Sequence, residues 1–390
     1  MLDKIMALKV IDQACLRGKN VLLRADLNVP IENGQIKDDF KLQALVSTLE
    51  LVAKFASRCV ILTHLGRPEK ESSELSTKNL VGWFAENGFN VEFAKTVDEA
   101  KNSKSKIIIL ENLRFFEGEE FLSQEFADQL AELGEFFVFD AFGFIGRKTT
   151  STSLLPKKFD DDKKFIGLLV AKELEAFYQF KSNDLRPYSL LFGGAKLQKL
   201  ELIEQIIFLN SAQRPNKILI GGFLAAWFYS SFEGIQVRIH FEEICLKRSV
   251  SLILPLDFVY FDENGIKRVI RTEKLNWSEN QFKFVDIGPE SVALFCRVLS
   301  ESRKLFCNGT MGLFEQNGAE VGTNSVLGTI SNVSKNDGIV AAGGGDTLRA
   351  ICALGLYDSF NFLSSGGGAS LTVLGKDFNS WKNLPGISEI

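Results

Sequence analysis

The feature that most constrains the fold is a series of short, wholly apolar runs that recur along the whole chain. The runs are NVLLRA (20–25), RCVILTH (58–64), KIIILE (106–111), EFFVFDA (135–141), SLLFG (189–193), KILIG (217–221), SLILP (251–255), KLFCN (304–308) and GIVAAG (338–343). They lack the alternation of apolar and polar residues that marks a strand with one wet face. They therefore predict strands that are covered on both faces, as in parallel sheets.

Amphipathic stretches separate these runs, for example FKLQALVSTLELVAKFA (40–56) and SQEFADQLAELG (123–134). Strands that alternate with helices along the chain are typical of α/β folds. A chain of 390 residues is long enough for two or three domains. The sequence therefore predicts an α/β protein with two doubly wound parallel-sheet domains.

The predicted domains meet near 170–187, where Leu174, Phe177 and Tyr178 recur at helical spacing before a turn-rich segment. We predict an N-terminal domain over 1–170, a hinge helix over 171–186 and a C-terminal domain over 187–376. A helix that joins two such domains would leave an interdomain cleft. Ligands of open α/β sheets bind outside the carboxyl ends of the strands, so the turns after the strands are expected to face this cleft.

The turns that follow the strands differ between the two halves of the chain. Those of the first half carry arginine and carboxamide side chains, in RADLN (24–28), THLGR (63–67), ENLRF (111–115) and DAFGFIGRK (140–148). Those of the second half are rich in glycine, in FGGAK (192–196), IGGF (220–223), CNGT (307–310), GGGDT (343–347) and SSGGGAS (364–370). The first pattern suits a small anion and the second a polyphosphate, so together they indicate phosphoryl transfer between two substrates.

Composition excludes several other classes of protein. The formal charge of −4 and the isoelectric point of 5.6 argue against broad nucleic-acid binding. No apolar run approaches the roughly 18 residues that cross a bilayer, and charged residues interrupt the apolar N-terminal segment, so we expect a cytoplasmic protein without a membrane partner. The six cysteines form no CxxC pair, which favours reduced thiols over a disulfide or zinc framework.

Twelve motifs of the chain, in order, resemble those of the phosphoglycerate kinases, and together they span nearly its whole length. The motifs are LLRADLNVP (22–30), IKDD (36–39), THLGRP (63–68), LENLRF (110–115), DAFG (140–143), GGAK (193–196), LPLDFV (254–259), DIGPES (286–291), NGTMGLFE (308–315), GGGDT (343–347), GGGASL (366–371) and LPG (384–386). A single triplet of glycines would carry little weight. Twelve motifs in the family's order indicate shared ancestry.

The resemblance implies a glycolytic enzyme that moves a phosphoryl group between 1,3-bisphosphoglycerate and ADP, giving 3-phosphoglycerate and ATP, with Mg²⁺ bound to the nucleotide. In the reverse direction the attacking group is a carboxylate that is already ionised at neutral pH, so no general base is needed. Catalysis then consists of positioning and charge stabilisation. The family resemblance also implies a monomer that bends at its hinge, an N-terminal domain for the acceptor, a C-terminal domain for the nucleotide, and a tail (377–390) that returns to the first domain.

The resemblance also assigns site residues position by position. The acceptor residues it implies are Asp26, Asn28, Lys41, His64, Arg67, Arg114 and Arg147. The nucleotide residues it implies are Gly193, Gly194, Lys196, Lys199, Gly221, Gly222, Asn308, Glu315, Gly344, Gly345, Asp346, Thr347, Gly366 and Gly367. The catalytic residues it implies are Lys41, Arg67, Lys196, Gly345 and Gly368. Asp346 is expected to contact magnesium through the nucleotide, and Glu315 to bind the ribose hydroxyls.

Several positions depart from the family pattern. Lys41 stands where the family has an arginine, and GRKT keeps Arg147 but lacks the two histidines that flank this arginine in the family. Lys199 follows Lys196 by three residues instead of four, which on a helix would turn its side chain by about 100°. Phe223 replaces a glycine, and its ring can either fill space near the nucleotide base or turn into the core; we expect the core.

These departures leave two hypotheses open. The first is a working phosphoglycerate kinase. The second is a weakened homologue that binds nucleotide or phosphoglycerate without efficient turnover. A third class, the nicotinamide-dependent oxidoreductases, also uses doubly wound sheets, but these enzymes carry GxGxxG after an early strand, and here the first strand ends in RADLNVP.

Overall fold

The computed structural model describes residues 8–275 and 283–390, over which the chain divides into two units. Unit 1 comprises the chain up to Phe177 together with Phe378–Ile390, and unit 2 comprises Tyr178–Asp377. The C-terminal segment is part of unit 1, since the Gly146 amide donates a hydrogen bond to the Pro385 carbonyl at 3.0 Å. In the described part of the chain, no helix combines the length and the apolar character that a membrane span requires.

The sheet of unit 1 has six parallel strands among the described residues, in the order β5-β6-β4-β1-β7-β8. The strands are β1 Asn20–Ala25, β4 Arg58–Leu62, β5 Val91–Ala94, β6 Ile107–Leu110, β7 Phe136–Asp140 and β8 Lys164–Ile166. A small hairpin is formed by β2 Ile31–Glu32 and β3 Gln35–Ile36. From β1 the chain goes first to one side of the sheet and later to the other, so the order of strands reverses between β1 and β7.

The helices of unit 1 cover this sheet. They are α1 Gln13–Leu16, α2 Phe40–Phe55, α3 Val81–Glu86, α4 Val97–Asn102, α5 Gln124–Ala131 and α6 Leu168–Ser182, the last of which continues into unit 2. Helix α2 buries Leu42, Leu45, Leu49 and Val52, whose spacing places them on one face. These side chains join the β1 and β4 side chains in one core, and this core fixes the carboxyl ends of the strands.

The sheet of unit 2 also has six parallel strands among the described residues, in the order β11-β10-β9-β15-β16-β17. The strands are β9 Tyr188–Phe192, β10 Lys217–Ile220, β11 Ser251–Ile253, β15 Lys304–Asn308, β16 Ile339–Gly343 and β17 Phe362–Ser364. The helices are α7 Lys199–Ile207, α8 Gly222–Ser230, α9 Phe232–Lys247, α10 Pro289–Ser300, α11 Val321–Lys335, α12 Gly345–Ala353 and α13 Gly368–Leu374. The order of strands reverses between β9 and β15.

Unit 2 contains a second, antiparallel sheet that the sequence patterns did not predict. Its strands are β12 Asp257–Phe261, β13 Lys267–Arg271 and β14 Phe284–Ile287, in the order β13-β12-β14. Two of the family motifs lie here and have a structural use. Asp257 accepts hydrogen bonds from the backbone amides of Glu290 and Ser291, which are in the first turn of α10.

The predicted fold class is confirmed, because the protein has two doubly wound parallel sheets. All nine predicted strands are present, with ends that differ from the apolar runs by up to two residues. The run RCVILTH is one example: β4 ends at Leu62, and Thr63 and His64 extend beyond the sheet. The polar ends of these runs therefore belong to the loops that carry the candidate site.

Candidate active site

In unit 1, four neighbouring strands end at the same edge of the sheet, in the order β6-β4-β1-β7. Arg114 follows β6, His64 follows β4, Asp26 follows β1 directly, and Arg147 lies after β7. This edge includes the β1–β7 reversal, where doubly wound sheets bind ligands. The fold thus places the acceptor residues implied by the family resemblance along one edge.

Asp26 and Lys41 form the innermost charged pair of this edge. The Lys41 ammonium donates a hydrogen bond to Asp26 Oδ2 at 2.7 Å, and the Asp26 side chain is only 6% exposed. Burial, the largest single effect, would raise the pKa of this carboxyl, but the charge and hydrogen bond of Lys41 and the other positive charges nearby together outweigh it and bring the pKa to about 2. A side chain at Gly143 would collide with Asp26 Oδ2, so glycine in DAFG leaves room for the pair.

His64 is buried and its ring packs edge-on against Phe144, with the ring centroids 4.6 Å apart. Burial holds the pKa of His64 well below its ordinary value, so the imidazole is neutral at neutral pH. Its Nδ1 atom has no hydrogen-bond partner among the described residues. Because a buried polar atom without a partner is costly, this nitrogen is available to a ligand.

Three arginines surround this centre. Arg114 donates from Nε to Glu120 at 2.7 Å and from Nη1 to the Gly66 carbonyl, while Asn28 Oδ1 accepts from the Gly66 amide at 2.8 Å. These contacts fix the loop that carries Arg67, which is itself exposed.

Arg147 lies against the same centre. Its guanidinium carbon lies 5.4 Å from the centroid of Phe144. Partial desolvation lowers the pKa of Arg147, with Asp26 opposing and Arg114 and Arg67 reinforcing this effect, which indicates that these side chains share one electrostatic environment.

Two buried charges behind this edge were missed by the sequence analysis. Arg24, fully buried in β1, donates from Nε to the Ser151 hydroxyl at 2.8 Å, and Ser151 in turn donates to Glu119 at 2.6 Å. The Arg24 guanidinium lies 4.3 Å from the ring centroid of Phe144. An arginine inside an otherwise apolar run was the available signal for such a network, since a buried charge needs partners.

The two family histidines around Arg147 have no polar substitute at this edge. Gly146 has no side chain, and Thr149 is buried, where its hydroxyl lies 3.2 Å from that of Thr152 at the start of a short π-helical turn. Thr149 therefore supports the local backbone instead of the candidate acceptor site. Of the acceptor residues implied by the resemblance, this segment therefore supplies Arg147.

In unit 2, backbone groups meet at the β9–β15 reversal. The Gly193 amide donates to the Asn308 carbonyl at 3.0 Å, and the Gly194 amide donates to the Thr310 carbonyl at 2.9 Å. A side chain at Gly193 would collide with the Thr310 carbonyl, and one at Gly309 with the Gly193 carbonyl. The packing of the two turns therefore requires glycine at these positions, independently of any ligand.

A second group of glycines has open space around it. Gly345 and Gly368 begin helices α12 and α13, and a Cβ atom at either position would meet nothing within 4 Å. The Asn308 amide ties the two loops together, donating to the Gly343 carbonyl at 2.7 Å and to the Gly367 carbonyl at 3.3 Å. Packing does not require glycine at these two helix starts, and a bare backbone there leaves room for a phosphate oxygen to approach closely.

The two lysines of GGAKLQK adopt an arrangement that the helical argument did not foresee. Lys196 lies in the turn before α7, and the helix begins at Lys199, so no helical rotation relates them. The Lys199 ammonium donates to the Gly193 carbonyl at 2.9 Å and to the Asn308 carbonyl at 3.3 Å, at the β9–β15 reversal. Burial, with the nearby charge of Lys196, lowers the pKa of Lys199 to about 8.

Asp346 and Glu315 lie at the surface and are joined by Arg349. The guanidinium contacts Asp346 Oδ1 at 2.7 Å and Glu315 Oε1 at 2.6 Å. Within 8–275 and 283–390, no three His, Cys, Asp or Glu side chains cluster as metal ligands. A single exposed carboxylate at the start of α12 fits Mg²⁺ that is held mainly by phosphate oxygens and water.

Phe223 corrects one expectation. Its side chain is 51% exposed and does not enter the core. The reason is its place at the second position of α8, directly after Gly222, whose neighbours are the backbones of Thr310 and Gly194. The ring therefore stays on the surface near the glycine turns.

Comparisons with known proteins agree with this geometry. Residues 11–376 match the family described as phosphoglycerate kinase. The phosphoglycerate kinase of Chloroherpeton thalassium is 31% identical over 410 residues and 99% of each chain is covered; that of Hydrogenobaculum sp. is 34% identical, with 97% of this chain and 98% of the relative covered.

Solved structures give the same result. The phosphoglycerate kinase structure from Coxiella burnetii superimposes with a TM-score of 0.73 at 27% identity, covering 95% of this chain and 97% of the other. The structure from Pyrococcus horikoshii gives a TM-score of 0.77 at 24% identity, which bears on the fold alone.

Proposed function

Since the chain belongs to the phosphoglycerate kinase family and is a phosphotransferase of that family, we propose that its two units divide the reaction between them. Unit 1 binds 3-phosphoglycerate or 1,3-bisphosphoglycerate, and unit 2 binds ATP or ADP with Mg²⁺. The observation that carries this division is the contrast at the two reversal points: charged side chains surround the one in unit 1, and backbone groups form the one in unit 2.

On the acceptor side, the arginines supply the attraction for an anion. Arg67 is exposed and its guanidinium can donate two parallel hydrogen bonds to a phosphate or carboxylate. Arg114 and Arg147 add positive charge within electrostatic range of the same centre. Asp26 offsets only part of this charge, because its own partner, Lys41, is also positive.

The neutral state of His64 has a place in this scheme. An uncharged imidazole can donate one hydrogen bond to the glycerate part of the acceptor and adds no further charge beside Lys41 and the arginines. We propose that Asp26 and Asn28 act through their neighbours. Asp26 orients Lys41, and Asn28 holds the loop of Arg67 by accepting from the Gly66 amide.

On the nucleotide side, helix starts and lysines receive the phosphates. The open backbones at Gly345 and Gly368 sit at the amino ends of α12 and α13, where amide groups point outward with positive polarity. Lys196 and Lys199 add positive charge beside Gly193 and Gly194. Magnesium, when bound with the nucleotide, would be held by Asp346 and would neutralise phosphate charge.

The chemistry then needs no proton transfer from the protein. The carboxylate of 3-phosphoglycerate attacks the terminal phosphorus of ATP, the bond to the bridging oxygen of ADP breaks, and the acyl phosphate forms. The protein contributes hydrogen-bond donors that stabilise the charge on the transferred phosphoryl group. This stabilisation is usually the largest contribution to the rate enhancement in such reactions. We assign this role to Arg67 in unit 1 and to Lys196 in unit 2.

The test is a coupled assay with 3-phosphoglycerate and Mg-ATP on the purified protein, with Asp346→Ala as the control. We expect turnover in the wild type and its loss in the variant, because Asp346 is the carboxylate proposed to hold the metal. Binding of each substrate is measured separately by calorimetry. Binding of both substrates without turnover would instead support the weakened homologue, in which the departures at Lys41, Lys199 and Phe223 impair the reaction.

A further inference from the structure

Neither the motifs nor the proposed function assigns a role to Arg349. It lies on α12, one turn after Asp346, and contacts that carboxylate through Nη2 at 2.7 Å. Its Nη1 contacts Glu315 at 2.6 Å, on the turn that follows β15. A single guanidinium therefore joins two carboxylates from distant parts of the sequence.

Each carboxylate gives only one oxygen to this bridge, Oδ1 of Asp346 and Oε1 of Glu315. We propose that Arg349 is a positioning residue for the nucleotide, which fixes both carboxylates so that Oδ2 of Asp346 and Oε2 of Glu315 remain for the ligand. The inference rests on the proposed function, in which Asp346 meets the magnesium-bound phosphates and Glu315 meets the ribose hydroxyls. In this proposal Arg349 acts through the two carboxylates and not directly on the reacting atoms or the metal.

The chemistry of the guanidinium suits this task. Its planar array of donors can bind two acceptors at once in a fixed geometry, which the single ammonium of lysine cannot do as well. The guanidinium carbon also lies 6.0 Å from the ring centroid of Phe314, next to Glu315, which adds a second contact with the same turn. The bridge thus holds the turn after β15 against the start of α12.

The charge of Arg349, like its geometry, should favour nucleotide binding. Two carboxylates near a polyphosphate would repel it, and the positive charge of Arg349 offsets one of the two. The three side chains are 40%, 62% and 59% exposed for Arg349, Glu315 and Asp346, so the bridge contributes little to folding. Loss of the bridge should therefore appear in nucleotide binding far more than in the stability of the protein.

Calorimetry with Mg-ATP tests the proposal on wild type, Arg349→Ala and Arg349→Lys. We expect Kd to rise about three- to tenfold for Arg349→Ala, as for the loss of one charge-assisted contact, and to fall in between for Arg349→Lys, which keeps the charge but not the fork. Arg268→Ala is the matched control, because Arg268 forms a surface pair with Asp262 at 2.9 Å in another part of unit 2. Its Kd should equal that of the wild type.

A second readout separates positioning from a general effect. If Arg349 orients Glu315 toward the ribose, the preference for ATP over 2′-deoxy-ATP should shrink in Arg349→Ala and persist in Arg268→Ala. The melting temperatures without ligand should agree across all four proteins. If the wild type binds Mg-ATP and is active, two results would overturn this inference and leave the proposed function intact. They are binding of Mg-ATP by Arg349→Ala that is as tight as in the wild type or tighter, and an unchanged preference for ATP over 2′-deoxy-ATP. A wild type that binds no Mg-ATP overturns the proposed function together with the inference.

Discussion

The candidate acceptor site of unit 1 and the candidate nucleotide site of unit 2, here called half-sites, both lie where the strand order of a parallel sheet reverses. They are nevertheless formed by different chemical groups. In unit 1 the candidate groups are charged side chains, which range from the buried Asp26 with its half-buried partner Lys41 to the exposed Arg67. In unit 2 they are mainly backbone amides at glycines, with Asp346 and Glu315 exposed at the surface. The same fold can thus present an anion site either through charged side chains or through the backbone.

This difference affects how each unit tolerates change. Charged side chains at a sheet edge can be exchanged one at a time, because the strands below them are held by a separate apolar core. Backbone turns at Gly193 and Gly309 are part of the packing of unit 2 itself, so a change there affects folding and binding together. Single substitutions in each unit therefore test this difference.

The largest effect is expected for Arg67→Ala in unit 1. Removal of an exposed guanidinium that stabilises charge in the transition state should lower kcat/KM by about 10²- to 10³-fold. The melting temperature should change little, since Arg67 is exposed and its loop is fixed by Asn28 and Arg114. Steady-state kinetics and thermal unfolding measure both. Arg17→Ala is the matched control, because Arg17 is also exposed but lies at the end of α1, outside the candidate site; a similar loss of activity there would contradict the assignment.

The next largest effect is expected for Gly309→Ala in unit 2. Gly309 has a φ of 108°, and an added Cβ would collide with the Gly193 carbonyl, so the free energy of unfolding should fall by about 3 kcal/mol. Gly345→Ala is the matched variant, because its Cβ has open space. We expect unchanged stability and a raised KM for ATP in that variant. Denaturant unfolding of both proteins decides the comparison, and equal destabilisation would remove the distinction between the two groups of glycines.

The contrast between the units also explains what the sequence could predict. Unbroken apolar runs identified β1, β9 and β15 closely, because strands buried on both faces leave a simple pattern. The sheet of β12, β13 and β14 was missed, since its strand β13 is mostly exposed and its residues show no such run.

The same reasoning applies to side chains. Motifs placed Asp26 and Arg114 at the correct strand ends. They could not reveal the contacts of Glu119 with Ser151 or of Arg349 with Glu315, because these partners are distant in the sequence and are brought near only by folding. Nor could they show that Lys196 precedes the helix that begins at Lys199.

A smaller effect is expected from pH, and it should arise in unit 2. The pKa of Lys199 lies near 8 in the folded protein, so its ammonium loses its proton above that pH, and the KM for ATP should rise by up to about tenfold per pH unit. Because this pKa is lowered relative to the unfolded chain, the contribution of Lys199 to stability is present at high pH and is lost as pH falls through about 8. Deprotonation of Lys199 does not destabilise the fold, so weaker ATP binding at pH 9 would not be due to unfolding caused by this residue. Lys199→Arg keeps its charge and should flatten the profile; an unchanged profile would mean that another group titrates.

The smallest effect is expected for Lys41→Arg, which returns the family's residue to unit 1. The Lys41 ammonium already holds Asp26 at 2.7 Å, so the variant adds only the second donor of the fork, and the KM for 3-phosphoglycerate should fall about threefold with the KM for ATP unchanged. Titration of stability gives an independent check. The pKa of Asp26 is lowered to about 2, so its contribution to stability is present above the ordinary range of aspartate and is lost as pH falls through about 2.

Retention of this acid transition in Lys41→Arg would show that arginine also pairs with Asp26. A lower KM could then be assigned to the added donor and not to a rearranged carboxylate. If the KM for 3-phosphoglycerate rises while the acid transition is kept, the space beside Gly143 is fitted to lysine, and this chain has adapted its charged half-site to the shorter reach of an ammonium. In either case the KM for ATP should stay unchanged, because the proposed ligand contacts of unit 2 do not depend on the length of the side chain at position 41.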